Sequence, residues 1–377
     1  MKKPKDKSKQ RKFLGTIIQV VIGGIIGGFI GFGAITGFDG ITVPDPPGLA
    51  LALIFIYLGA VIHIILHEAG HLIGGLLSGY QFVSFRVYSF IFIKENGRIV
   101  TKRYNLAGTA GQCLMSPPNA ENYNFPYLLY NLGGGMLNFI FSGIFFALYM
   151  MLRDIFALSG VIFIPLIGIG ILFGALNLVP LKLSGIANDG YNIFTMGKNK
   201  DARRAFYIML QANASLLAGA RSKDLPAEWL ELPENYNDPL SATFALNRVG
   251  YFMDKHDFDA AKELATEILE TADKVLEIHK NELRCNLLFI EIIGERRQEE
   301  IDRLYTKELQ KYIKANPYHL SKRRLEYAYA KLVICDEAKT SRALNVLNKT
   351  FLTYPYKGEL ELERELVDII DNRATAS

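Results

Sequence analysis

Cysteine is scarce in this chain of 377 residues: Cys113, Cys285 and Cys335 are the three, and no two form a CxxC pair. That excludes a disulfide framework and a cysteine metal knuckle, and it points to a reducing compartment. A dominant charge is also lacking. Lys and Arg number 42 against 38 Asp and Glu, a net charge of +4, so no electrostatic footprint for nucleic acid is present. Outside residues 63–71, the remaining histidines (His256, His279, His319) all lie in the second half, where no catalytic constellation is visible.

Apolar sequence is abundant instead, at 50% of residues, and unevenly spread. The first half carries long apolar runs and the second is charged and periodic, as in a membrane domain followed by a soluble one. A bilayer core of about 30 Å takes about 20 apolar residues in a helix. Four segments qualify: Phe13 to Phe38, Leu49 to Leu77, Tyr127 to Leu152 and Ile155 to Leu181. The first follows the basic "MKKPKDKSKQRK" and is longer than the roughly 7–15 residues of a signal core, so it is expected to be an uncleaved anchor.

Lys and Arg set the orientation. They crowd the amino-terminal flank, vanish from "DGITVPDPPG", return as Arg86, Lys94, Arg98, Lys102 and Arg103, and return again from Lys182 to Arg204. The alternation predicts four crossings with both termini cytoplasmic. The expected organisation is a basic terminus over 1–12, a membrane domain over 13–197 and a cytoplasmic helical domain over 198–377. The fold class is mainly α: a polytopic membrane helix bundle with a β-hairpin insert, followed by a soluble helical repeat-like domain.

The chemistry is concentrated in "HIILHEAGHLIGGLL". His67-Glu68-Ala69-Gly70-His71 is an HExxH pattern. Two histidines four apart leave one helix face and can share a zinc ion, and Glu68 can reach a metal-bound water as general base. Only three letters are fixed, so context must confirm the pattern. Ionisable groups inside an apolar helix supply that context, because they are costly without a role. As a helix, Leu49 to Leu77 spans about 43 Å, with His71 and His67 about 9 and 15 Å from its cytoplasmic end. Water can therefore reach them.

A catalytic zinc needs a third ligand and an open position. His63 stands about 12 Å of helix rise from His71, too far to share an ion with it, so a packing or supporting role is expected. Asp189, flanked by Asn188 and Gly190 at the end of the fourth segment, is the better candidate, although an Asp-Gly after a membrane helix is usually only a turn. In "YNLGGGMLNFIFSG", Gly133, Gly134 and Gly135 permit close backbone contact. Asn138 is an amide at membrane depth, suited equally to helix packing or to the site. Between the second and third segments, strand-like runs flank Asn96-Gly97, the signature of a tight hairpin. It is either a connector or an exposed edge that pairs with an extended peptide.

HEAGH in one membrane helix, GGGMLN in a later one, and NLVP followed by NDG together resemble the site-2 protease family of intramembrane zinc metalloproteases. The resemblance covers roughly residues 49–195. It implies one zinc per chain on His67, His71 and Asp189, with Glu68 as catalytic base. It also implies that Asn138, Gly134 and Gly135 of the glycine-rich helix help bind substrate and that Asn177 lines the site. The implied protein is a multi-pass protein of a bacterial cell membrane that cleaves membrane-spanning or membrane-adjacent proteins near the cytoplasmic side, in regulated intramembrane proteolysis. Two features depart from the family pattern: "LKLSGIAN" lengthens the stretch between Pro180 and Asp189, and Gly-Gly stands where Gly-Pro is common. The alternatives are another membrane-bound zinc peptidase with a Glu as third ligand, or a catalytically inactive membrane adaptor. No second apolar helix carries a well-placed Glu, and an adaptor has no need of Glu68.

From about Lys198 the sequence reads as amphipathic helices with short breaks. "VGYFMDKHDFDAAKELATEILE" resembles a tetratricopeptide unit. Helical arrays present concave surfaces, so this domain is expected to recruit a protein or peptide partner.

Overall fold

The computed structural model describes residues 46–95, 97–105, 109–183, 186–232, 241–271 and 275–375. The apolar segment Phe13 to Phe38, and Asn96 of the expected hairpin, lie outside the described residues. The chain divides into two compact units: Met1–Gln81 with Phe125–Lys198, and Phe82–Asn124 with Asn199–Ser377. The sheet insert therefore groups with the C-terminal helices, whereas the sequence division had counted it within 13–197.

The first unit is built from α1 (Pro46–Leu77), α2 (Tyr127–Leu152), α3 (Ser159–Leu178) and the shorter α4 (Asp189–Lys198). Helices α1 to α3 are each long and apolar enough to cross a membrane, over Ala50–Leu77, Tyr127–Leu152 and Ser159–Leu178. Their outer surface is apolar: Leu53, Ile54 and Ile73 on α1 and Leu128, Ile140 and Phe146 on α2 are all exposed. Their interior is polar, with His63, Glu68, His71, Asn131, Asn138 and Ser142 buried. That inverts a soluble bundle and suits lipid outside with polar groups satisfied within. Gly70 of α1 and Gly133 of α2 meet so closely that a Cβ on either would lie 2.1 Å from the other's carbonyl oxygen, so the two backbones are in direct contact. The fourth apolar run forms a shorter helix than its length suggested. It ends at Leu178 because Val179 precedes Pro180 and takes extended backbone, φ −69° and ψ 124°.

The second unit combines a four-stranded sheet with helices. Strands β1 (Gln81–Val87), β2 (Phe90–Glu95), β3 (Arg98–Arg103) and β4 (Gly111–Ser116) run in the order β3-β2-β1-β4. The sequence promised a two-stranded hairpin. Its first run is instead broken at Tyr88, which adopts φ 50°, giving two strands where one was expected. Strands β2 and β3 are antiparallel with Glu95 opposite Arg98, as a two-residue turn requires. Ile91 and Ile93 alternate inward from β2 into a core shared with Leu283, Leu288, Phe289, Leu320, Leu347 and Ile370 of the helices.

Those helices are α5 (Lys200–Ala218), α6 (Ser241–Asp254), α7 (Phe258–Thr271), α8 (Glu277–Ile293), α9 (Gln298–Leu304), α10 (Lys307–Ala315), α11 (Leu320–Tyr329), α12 (Glu337–Thr353) and α13 (Lys357–Thr375). The α6/α7, α8/α9 and α11/α12 turns each place one non-glycine residue in left-handed conformation: His256 (φ 57°), Arg296 (φ 56°) and Cys335 (φ 56°). In each case the next helix begins two residues later, at Phe258, Gln298 and Glu337. The turns are 40 and 39 residues apart by these numbers, a longer unit than the 34 residues of a tetratricopeptide repeat.

Candidate metal centre

Helix α1 carries His67 and His71 on one face, one turn apart, with their Nε2 atoms 3.0 Å from each other. Asp189, the first residue of α4, brings Oδ2 to 3.3 Å from His67 Nε2 and 3.4 Å from His71 Nε2. Among the described residues, these three form the cluster able to hold a metal ion. Asp189 Oδ2 is buried and makes no hydrogen bond, which is the condition of a ligand atom and an expensive one for a merely structural carboxylate. Glu68, adjacent to His67, is buried and interacts electrostatically with His71.

The remainder of the first unit fixes these groups. His71 Nδ1 lies 2.7 Å from Tyr130 O on α2. A carbonyl only accepts, so Nδ1 carries the hydrogen and Nε2 is left bare. Gly134 stands against both rings, since a Cβ there would lie 2.5 Å from His67 Cε1 and 2.7 Å from His71 Nε2. Gly135 faces Leu178 instead. Asn138 is fully buried, its amide between His63 Nδ1 at 3.1 Å and His67 Nδ1 at 3.4 Å. Asn177 is half-buried on α3 and donates to Phe173 O within its own helix, at 2.8 Å.

The lengthened stretch before Asp189 has a definite form. Lys182–Leu183 pairs antiparallel with Ile186–Ala187, a short hairpin that turns the chain back toward α3. Asn188 then locks the return. Its Oδ1 accepts from Leu181 N at 3.1 Å and from Tyr191 N at 2.8 Å, and its Nδ2 donates to Leu176 O at 2.5 Å and Val179 O at 2.6 Å. The bond from Tyr191 N makes Asn188 the N-cap of α4, so Asp189 enters the helix aimed at the histidines. Sequence reasoning gave Asn188 only a turn-forming part. The available signal was Asn immediately before the first turn of a new helix. Tyr130 was not identified at all, because it meets His71 through a backbone carbonyl, which no sequence pattern marks.

Comparison with protein-family models, with curated proteins and with solved structures finds no match.

Proposed function

We propose that the chain is an intramembrane zinc endopeptidase of the site-2 protease type, cleaving membrane-spanning or membrane-adjacent proteins near the cytoplasmic side. The observation that carries the proposal is the convergence of His67 Nε2, His71 Nε2 and Asp189 Oδ2 at 3.0, 3.3 and 3.4 Å. Ligand atoms at about 2.0–2.1 Å from a tetrahedral zinc lie about 3.3 Å from one another. Two imidazoles and one carboxylate also leave the fourth position open, the pattern of a catalytic rather than a structural site. Zinc bound there would polarise a peptide carbonyl and acidify a water molecule.

The chain's own residues supply the rest. Glu68 takes the proton of the attacking water on its carboxylate and returns it to the leaving amine nitrogen, a role worth about 10²–10⁴ in rate. Asn177, at the end of α3, offers an amide to the backbone of an extended substrate. The bare backbone at Gly134 lets α2 approach the ligands without filling the site. Regulated intramembrane proteolysis fits a soluble unit that can recruit a protein or peptide partner.

The test is elemental analysis of the detergent-purified chain. One zinc per chain is expected, falling below a tenth in Asp189→Ala. Glu68→Ala should retain the metal and lose cleavage of a membrane-anchored test substrate. Full zinc in Asp189→Ala would remove the proposed centre, and a wild-type chain without zinc would favour the adaptor reading.

A further inference from the structure

One buried polar group of the bundle has no part in the proposed reaction. His63 is fully buried one turn before His67, with Nε2 2.8 Å from Leu166 O and Nδ1 3.1 Å from the Asn138 amide. The far end of that amide is 3.4 Å from His67 Nδ1. Hydrogens decide how this chain runs. Leu166 O can only accept, so His63 Nε2 carries a hydrogen. A neutral imidazole has a single N–H, so His63 Nδ1 must accept, and the amide group facing it must be the NH2. In the structure Oδ1 faces His63 and Nδ2 faces His67. The two ends of an amide are interchangeable in shape, however, and hydrogen-bond accounting turns this one over. The carbonyl oxygen then faces His67 and accepts its Nδ1–H. That leaves a free lone pair on His67 Nε2, the atom 3.3 Å from Asp189 Oδ2. His71 reaches the same state independently, through Tyr130 O.

We propose that His63 and Asn138 form a directional hydrogen-bond relay, anchored on Leu166 O, that holds His67 in the tautomer able to bind a metal through Nε2. The inference rests on the zinc reading above and assigns both residues as positioning residues. Direction matters because His63 and Asn138 are fully buried. In water an imidazole exchanges tautomers freely. Here a reversed relay would place a hydrogen on the ligand atom itself. The anchor is a backbone carbonyl, which cannot reverse, so the polarity of the whole chain is fixed by α3. Partners of this kind around metal-binding histidines are typically worth 10–100-fold in affinity.

Zinc affinity of the full chain in detergent, measured by competition with a chelator, tests the relay. His63→Gln keeps a donor for Leu166 O and an acceptor for the Asn138 NH2, and is expected to bind zinc within about threefold of wild type. His63→Leu leaves Asn138 without direction and is expected to bind 10–100-fold more weakly. Folded His63→Leu with wild-type affinity would overturn the relay and leave the zinc reading intact; a wild-type chain that binds no zinc would overturn both. The wild-type chain labelled with 15N-histidine decides the matter even if His63→Leu does not fold. The His63 resonances, assigned by their absence in His63→Gln, should show a protonated Nε2 and a bare Nδ1. Protonation at His63 Nδ1 instead would overturn the relay.

Discussion

A methyl group on Gly134 would lie 2.5 Å from His67 Cε1 and 2.7 Å from His71 Nε2. Both distances are far inside van der Waals contact, and both rings are the proposed ligands. Gly134→Ala is therefore expected to lower zinc per chain at least tenfold while leaving the helical circular dichroism unchanged. Retained zinc would mean that the rings can shift without losing the ion. Asn188 is the other residue on which placement depends. Its amide makes four hydrogen bonds to the backbone around Leu176, Val179, Leu181 and Tyr191. Removing them in Asn188→Ala leaves buried backbone groups unpaired, with an expected loss of about 2–4 kcal/mol. Denaturant unfolding in detergent measures that loss. Zinc affinity should fall with it, since Asp189 loses its cap.

At the scale of elements, the turns at His256, Arg296 and Cys335 pose a stability question. Left-handed backbone costs a side-chain-bearing residue roughly 1–2 kcal/mol, and glycine almost nothing. Cys335 is exposed and free, so its side chain has little packing to lose. Cys335→Gly is expected to leave stability unchanged or raise it by up to about 1 kcal/mol, because added freedom of the unfolded chain offsets part of the gain. Cys335→Val, β-branched in the same conformation, should lose at least about 1 kcal/mol. Thermal unfolding of the two variants should therefore move in opposite directions, or one should stay still while the other falls. Equal melting temperatures would show that the turn carries no strain. The helix pairs themselves were legible as apolar periodicity. Their 40-residue spacing was not, because the marker is a backbone conformation adopted by three unlike residues.

At the scale of the whole molecule, the second unit is assembled from two separate stretches of chain. It joins residues 82–124, which precede α2, to residues 199–377, which follow α3. Both helices between these stretches are long and apolar enough to cross a membrane. Alkaline carbonate washing is expected to leave the chain in the membrane pellet, and release into the supernatant would contradict three spanning helices. The second unit should also respond to pH. Burial pushes the Glu359 carboxyl up from 4.5 to about 7, against the hydrogen bond from Tyr354 and with Glu363 adding repulsion. Its folded form holds a proton that the unfolded chain releases near pH 4.5. Its stabilising contribution is therefore complete below that pH and is lost as pH rises to about 7. Glu359 is only partly buried by area, and solvent screening limits the effect to about 2 kcal/mol. His319 works in the opposite sense. Burial lowers it from 6.5 to about 4, so its contribution is present above pH 6.5 and is lost as pH falls. Glu359→Gln should remove the decline between pH 5 and 7 and expose the rise due to His319, as read by denaturant melts at both pH values. An unchanged profile would show that Glu359 titrates normally.

The sequence by itself determined which residues compose the candidate centre and the apolar runs that carry it. HExxH places two potential ligands at helical spacing, and it is legible, like the runs of about 20 apolar residues, because both signals are local. It also singled out Asp189, through Asn-Asp-Gly after an apolar run. Tertiary structure alone decided that Asp189 reaches the histidines. That approach depends on a short hairpin and an Asn188 cap, neither of which is a periodic signal. It likewise decided that the sheet belongs with the C-terminal helices, since a shared core between residues two hundred positions apart leaves no local trace. The direction of the His63–Asn138–His67 hydrogen bonds lies furthest from the sequence. It is set by a backbone carbonyl on α3, which every residue type possesses and no sequence pattern marks.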